Sequence, residues 1–367
     1  MGGDAPFDLA IILPTLNERD NITPLIDRIA ATLGDIRWEA IVVDDNSPDG
    51  TAQVVRDMAR GDGRIRVIER IGRRGLASAV IEGICAASAT HVAVMDADHQ
   101  HDPAAIAPML SAIKGGQCDV AIGSRFVAGA DISDWQDHDR QHLSGIANRT
   151  ARWLTGADLT DPMSGFFLMR TDRARALVPQ LSGIGFKILL DLLAAARGSL
   201  VIAEFPITFG ARRCGTSKLD SGVIFDFLAG VYDRLFGRII PTRFALFGTV
   251  GALGVLVHMI VLAVLLFVAK FDFPLAQSLA VVCAMSFNFW LNNGLTYRDQ
   301  RLRAARAVVA GWAVFCLTCA LGGIANVAVA SLLNGRGVVW FVSAIAGIVT
   351  GSVWNYALSS RFVWGRF

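Results

Sequence analysis

The sequence predicts two parts with different solvent preferences: an α/β domain built on a mostly parallel sheet, then an all-α membrane domain of four helices. Three observations predict it. Over residues 1–220, short apolar runs alternate with helically spaced segments, the pattern of a doubly wound sheet. After about residue 243 the carboxylates almost vanish, leaving Asp272 and Asp299. Four long stretches lack Lys, Arg, Asp and Glu altogether, each longer than the ~20 residues that span a bilayer as a helix. At 367 residues, 53% hydrophobic and a mean hydropathy of +0.47, the chain is too apolar for an ordinary soluble protein.

In chain order, Leu9–Leu13 is a compact apolar run, closed by Pro14-Thr-Leu-Asn-Glu18, and helical spacing resumes from Ile22. Trp38–Val43 is a second strand, broken by Asp44-Asp-Asn-Ser-Pro-Asp-Gly50, and a helix follows to Ala59. Arg64–Ile68, His91–Met95 and Asp119–Ile122 are further strands, with helices over Leu76–Ala89 and after Pro103. Gly72-Arg-Arg-Gly75 lacks the spacing of a phosphate loop and reads as a turn before a helix. Strand-helix alternation places Glu18, Asp45, Asp98 and Arg125 along one edge of the sheet, where α/β folds bind ligands. No Gly-x-Gly-x-x-Gly follows the first strand.

The most informative stretch is Val94-Met-Asp-Ala-Asp-His-Gln-His-Asp-Pro103. Alternate residues of an extended segment share a face, so Asp96, Asp98 and Gln100 would project together at a strand end. Such hard oxygen ligands suit Mg²⁺ or Mn²⁺, which take their remaining ligands from substrate phosphates and water. The alternative is an acidic turn with Asp102 capping the next helix. His99 and His101 have no spaced partner and are not expected to ligate. The six cysteines show no framework spacing, and Cys316 and Cys319 lie in an apolar run as core thiols. The formal charge of +2 comes with no basic block interleaved with aromatics, so nucleic acid is not an expected partner.

Pro14-Thr-Leu-Asn-Glu18, Asp44-Asp-Asn-Ser-Pro-Asp-Gly-Thr51, Gly75-Leu, Asp96-Ala-Asp-His-Gln-His101, Gly123-Ser-Arg125 and Asp161-Pro-Met-Ser-Gly-Phe166 recur in an order that resembles the family 2 inverting glycosyltransferases. These have the Rossmann-like GT-A fold, and the dolichyl- or polyprenyl-phosphate mannose synthases are the nearest likeness, over about residues 8–220. Leu16 departs from the family, which often has Tyr there. The resemblance implies that Pro14, Leu16, Glu18, Val43 and Asp45 surround the nucleoside. Asp96, Ala97, Asp98 and Gln100 would hold the diphosphate and metal, with Asp98 and Gln100 as ligands and Asp96 close by or through water. It assigns Arg212 and Lys218 to the sugar nucleotide, and Arg125, Arg140 and Ser144 to the acceptor phosphate. Arginine suits that work, being planar and permanently charged. Gly185-Phe-Lys-Ile-Leu-Leu-Asp191 also resembles the synthases; Lys187 and Asp191 alone read as an exposed i, i+4 pair.

Residues 221–242 have helical apolar spacing (Val223, Phe227, Val231, Leu235, Ile239) that fits a helix on a membrane surface or one packed on the first domain. The spans are 244–269, 273–297, 307–335 and 337–360. Nine arginines (234, 238, 243, 298, 301, 303, 306, 361 and 366) fall on one side of a four-pass arrangement, with Lys270 and Arg336 on the other. That bias places both termini in the cytoplasm, and Met1–Pro6 carries no signal peptide pattern. Ser286–Tyr297 echoes Trp354–Trp364, aligning Asn288 with Asn355, and this half resembles the GtrA-like four-helix domain. Asn288, Asn292, Asn293 and Asn355 are expected to bridge helices or meet lipid head groups.

The resemblance thus implies inverting transfer of mannose from GDP-mannose to dolichyl or polyprenyl phosphate at the cytoplasmic face. Asp96, Asp98 and Arg125 would carry the chemistry and Mg²⁺ or Mn²⁺ would assist. A UDP-glucose to undecaprenyl-phosphate transferase is the nearest rival. Lipid-linked sugar translocation by the membrane half is the reading from a different class.

Overall fold

The computed structural model describes residues 5–72, 74–131, 159–162, 164–181, 188–210, 232 and 240–365. The chain forms two compact units, Met1–Leu235 and Phe236–Phe367.

In the first unit, β1 (Phe7–Thr15) leads to α1 (Arg19–Leu33), β2 (Trp38–Asp44), α2 (Thr51–Gly61), β3 (Ile65–Glu69), α3 (Leu76–Ala86), β4 (Ala89–Val94), α4 (Ile106–Lys114) and β5 (Val120–Ser124). After them come β6 (Phe167–Arg170), α5 (Thr171–Leu177), α6 (Ile188–Ala196) and β7 (Ile202–Pro206). The seven strands lie in the order β3-β2-β1-β4-β6-β5-β7. All pairings are parallel except those of β6, which runs antiparallel to β4 and β5.

Both faces of β1 are buried, which explains its unbroken apolar run. Leu9, Ile11 and Leu13 pack with Ile22, Leu25 and Ile29 of α1. Ala10 and Ile12 turn to the other face, with Ala79, Val80 and Ile84 of α3. The chain runs from β1 outward to β2 and β3, then returns to place β4 on the other side of β1. Sheets with such a reversal usually bind ligands beside it, here at the carboxyl ends of β1 and β4.

The five expected strands are present with shifted ends. Helix α3 stops at Ala86, because Ala89 already pairs with Phe7 as the start of β4. Strands β6 and β7 were not expected.

Close packing of α3 requires Gly83, since a Cβ there would meet Ile12 at 2.5 Å and Val43 at 3.3 Å. Gly83→Ala is expected to destabilise the unit by about 1–3 kcal/mol through overpacking, read as a lower denaturant midpoint. An unchanged midpoint would show that α3 can retreat.

The second unit holds α7 (Thr242–Ala263, continued by a π turn to Val268), α8 (Phe273–Leu291, continued likewise to Thr296), α9 (Ala305–Gly335) and α10 (Trp340–Phe362). Among the described residues, three helices, Thr242–Val268, Leu275–Thr296 and Ala305–Gly335, are long and apolar enough to cross a membrane. Their exposed Leu256, Ile260, Val268 and Ile324 form the kind of apolar surface that lipid covers. Tyr297 stacks on Trp364 at 4.1 Å, and Trp364 Nε1 donates to Asn293 Oδ1 at 3.1 Å.

Asn293 therefore bridges elements as expected. Asn292 does not: it donates to Asn288 O and accepts from Thr296, all within its own helix. One step along a helix rotates a side chain by about 100°, enough to separate the two roles. The internal repeat recurs in the packing. Asn288 occupies the space beside Gly254 of the preceding helix, and Asn355 that beside Gly322.

Candidate active site at the carboxyl edge of the sheet

The ends of β1 and β2 are tied together first. Pro14 pairs in register with Val43, and Asp45 N–H donates to Thr15 O at 3.0 Å. Asp44 accepts from Thr15 Oγ1 at 3.0 Å and from Ser47 N and Oγ at 2.8 and 2.6 Å. Ser47 Oγ in turn accepts Asn17 N–H at 2.9 Å. Glu18 N–H donates to Thr51 Oγ1, and Glu18 Oε2 accepts from Asn21 Nδ2 at 2.7 Å. Pro14, Leu16 and Glu18 are half-buried and Val43 is buried.

Asp45 is buried and doubly held. Its Oδ1 accepts from Arg70 Nη1 at 2.5 Å and its Oδ2 from Gly75 N–H at 2.7 Å. Burial raises its carboxyl above the usual range, while Gly75 N–H and the Arg70 guanidinium pull the other way.

Past β4 the backbone does not stay extended. Asp98 Oδ1 accepts Gln100 N–H at 3.1 Å, and His99 takes a left-handed φ of 66°. The expected face shared by Asp96, Asp98 and Gln100 through simple alternation is thus replaced by an Asx turn. Ala97 and Asp98 are buried, while the Asp96 side chain is 38% exposed. Gly165 makes room for that carboxylate: a Cβ there would lie 2.8 Å from Asp96 Oδ2. Gln100 Nε2 donates to Gly210 O at 3.4 Å.

Both histidines are engaged in the fold. His99 Nε2 meets Asn21 O at 3.0 Å. His101 Nδ1 accepts Asp96 N–H at 3.2 Å, and its ring packs against Phe166 and Phe209. Burial lowers its pKa, against the opposing pull of Asp96 and Asp98. Asp102 caps the following turn, accepting from Ala104 N–H at 3.0 Å, as the alternative reading of this stretch expects.

Arg125, past β5, is bidentate with the fully buried Asp161: Nε to Oδ2 at 2.7 Å and Nη2 to Oδ1 at 2.8 Å. The Asp161 segment is fixed by Glu204 of β7, which accepts Thr160 N–H and Oγ1 and Asp161 N–H. Sequence reasoning quoted Asp161 without a role and passed over Arg70 and Glu204. Arg140, Ser144, Arg212, Lys218, Lys187 and most of 221–242 lie outside the described residues.

Among the described residues no three His, Cys, Asp or Glu side chains converge as a metal cluster. Asp96 and Asp98 with Gln100 are nonetheless a hard-oxygen donor set. It fits a Mg²⁺ or Mn²⁺ ion that completes its shell with diphosphate and water, as such ions commonly do.

Residues 10–177 match the family model for glycosyl transferase family 2, and residues 246–364 match that for the GtrA/DPMS transmembrane domain. The chain is 33% identical over 362 residues to the dolichol-phosphate mannosyltransferase of Pyrococcus furiosus, covering 97% of this chain and 99% of that one. The dolichol-phosphate mannosyltransferase of Mycosarcoma maydis is 36% identical over 262 residues, covering 69% of this chain and 85% of that one. A solved glucosyl-3-phosphoglycerate synthase from Mycobacterium tuberculosis, in complex with Mn²⁺, UDP-glucose and phosphoglyceric acid, is 23% identical. It covers 63% of this chain and 80% of that one, with a TM-score of 0.45.

Proposed function

The chain belongs to glycosyl transferase family 2 and carries a GtrA/DPMS transmembrane domain, and from that premise we propose that it moves mannose from GDP-mannose to dolichyl or polyprenyl phosphate. The catalytic unit works at the cytoplasmic face of a membrane crossed four times. The observation that carries this reading is the single edge at which Asp45, the Asp96–Asp98 pair and Arg125 follow β2, β4 and β5.

Pro14, Leu16, Glu18, Val43 and Asp45 receive the nucleoside. Each Asp45 oxygen accepts one bond within the protein, and a carboxylate oxygen can accept two. The carboxylate therefore matches guanine, whose N1–H and N2–H₂ lie side by side, better than uracil, which offers one N–H between two carbonyls. This supports the guanosine donor.

When bound, Mg²⁺ or Mn²⁺ on Asp96, Asp98 and Gln100, near Ala97, supplies Lewis-acid stabilisation of charge on the departing diphosphate. Arg212 and Lys218 add positive charge to the same group. The acceptor phosphate is ionised at neutral pH and needs no general base. Arg125, Arg140 and Ser144 hold it so that one oxygen attacks the anomeric carbon opposite the leaving group. The new C–O bond forms as the C–O bond to GDP breaks, which inverts that carbon and gives a β-linked lipid phosphate. Asp161 fixes the plane of the Arg125 guanidinium for this task.

The test incubates membranes holding the protein with polyprenyl phosphate and either labelled GDP-mannose or labelled UDP-glucose. Label is expected in lipid from GDP-mannose. Incorporation only from UDP-glucose would overturn the donor, and none from either would overturn the reaction.

A further inference from the structure

Arg70 is a buried arginine. Its side chain is 1% exposed at the end of β3, on the edge where the donor is read to bind. Its guanidinium meets four separate acceptors. Nη1 lies 2.5 Å from Asp45 Oδ1 and 3.0 Å from Gly75 O, Nη2 lies 2.6 Å from Ser78 Oγ, and Nε lies 3.1 Å from Glu82 Oε1. A buried cation is costly unless it is paired and hydrogen-bonded. Here the pairing is shared unequally: Glu82 is partly exposed, at 26%, whereas the Asp45 side chain is nearly as buried as Arg70, at 8%.

The contacts close a loop. Arg70 grips Gly75 by its carbonyl, Gly75 N–H grips Asp45 Oδ2, and Arg70 grips Asp45 Oδ1. Arg70 N–H also donates to Asp44 O at 2.8 Å, which joins the end of β3 to the end of β2. The turn before α3 and the Asp45 carboxylate thus have one common support, and neither Asp45 oxygen can rotate without breaking a charge-assisted bond.

We infer that Arg70 is the positioning residue of the donor pocket, aiming the Asp45 carboxylate and the Gly75 turn without itself touching the nucleotide. This rests on the reading that Asp45 meets the nucleobase. The opposing influences on the Asp45 carboxyl agree with it. Burial pushes that group towards its neutral form and Arg70 helps to keep it ionised, hence able to accept twice.

The experiment measures GDP and UDP affinity by calorimetry, and donor and acceptor KM by initial rates, in the full-length protein in membranes or detergent. Arg70→Lys keeps the charge but cannot reach four acceptors at fixed angles. It is expected to weaken GDP binding and raise donor KM by about 10-fold, with acceptor KM unchanged, and to lower the melting temperature as well, because a buried pair is weakened. Arg70→Met should do the same more strongly. Glu82→Gln, which removes one outer partner, should cost about 2- to 3-fold and serves if the Arg70 variants do not fold.

A double-mutant cycle tests the route. If Arg70 acts through Asp45, the Arg70→Lys/Asp45→Asn double variant binds GDP about as weakly as Asp45→Asn alone. Multiplying effects, unchanged nucleotide affinity in a folded Arg70 or Glu82 variant, or an equal rise in acceptor KM would overturn the inference. If the wild-type protein binds UDP and not GDP, and the cycle shows the same coupling with UDP, Arg70 keeps its role while the guanosine reading falls.

Discussion

Asp98→Asn is expected to lower kcat/KM by about 10²- to 10³-fold, the scale on which single charge-stabilising groups act in transition states, while leaving the melting temperature almost unmoved. The substitution is close to isosteric. Asp98 Oδ1 accepts Gln100 N–H at 3.1 Å, and an asparagine oxygen can accept the same bond, so the turn that shapes this loop survives. The lost quantity is one negative charge in a position that is 6% exposed. On the proposed reading that charge helps to hold a divalent cation, so the variant should need far more Mg²⁺ or Mn²⁺ for any residual rate. Initial rates across a metal titration, with a melting curve on the same preparation, check both parts. Near-normal turnover would remove Asp98 from the donor site. A large drop in melting temperature would instead make it a folding residue.

What could be read from the sequence follows from how local each signal is. The centres of strands β1, β2 and β4 (9–13, 40–43 and 92–94) are buried on both faces, so each appears as an apolar run, and the polar motifs that end them mark the sheet edge directly. The places of Asp45 and Asp98 just past strand ends were legible for that reason, and the matched family bears out the fold class. Strand β6 has only four residues, and half-buried β7 lacks both a run and an alternation, so neither announces itself.

The supports of the site were hidden for a different reason. Arg70 and Asp45 are 25 residues apart, and Arg125 and Asp161 are 36 apart. Pairs so separated meet only because the sheet order brings β3 beside β2 and the segment before β6 beside β5. A lone arginine after an apolar strand carries no local sign of burial. The Asx turn at Asp98 was hidden more narrowly, since the same residues would share a face had the strand continued.

The second large effect concerns that hidden partner of Arg125. Asp161→Ala is expected to destabilise the first unit by roughly 3–5 kcal/mol, the usual result of removing one member of a buried ion pair. Asp161 is fully buried and answers two guanidinium donors and the Arg125 N–H, while the Arg125 side chain is 17% exposed, so the value belongs towards the lower end. Denaturant midpoints measure it, and an unchanged midpoint would sink the prediction. Activity should fall as well, and one further variant separates the two losses. Arg125→Met combined with Asp161→Ala removes the whole pair, leaves no stranded charge, and is expected to recover much of the stability, as apolar replacement of buried pairs often does. Transfer to lipid phosphate should stay low, because on the proposed reading the Arg125 guanidinium is gone and Arg140 alone remains to meet the acceptor. If the double variant regained both stability and turnover, Arg125 would be a structural residue, and the acceptor phosphate would have to be held by other groups.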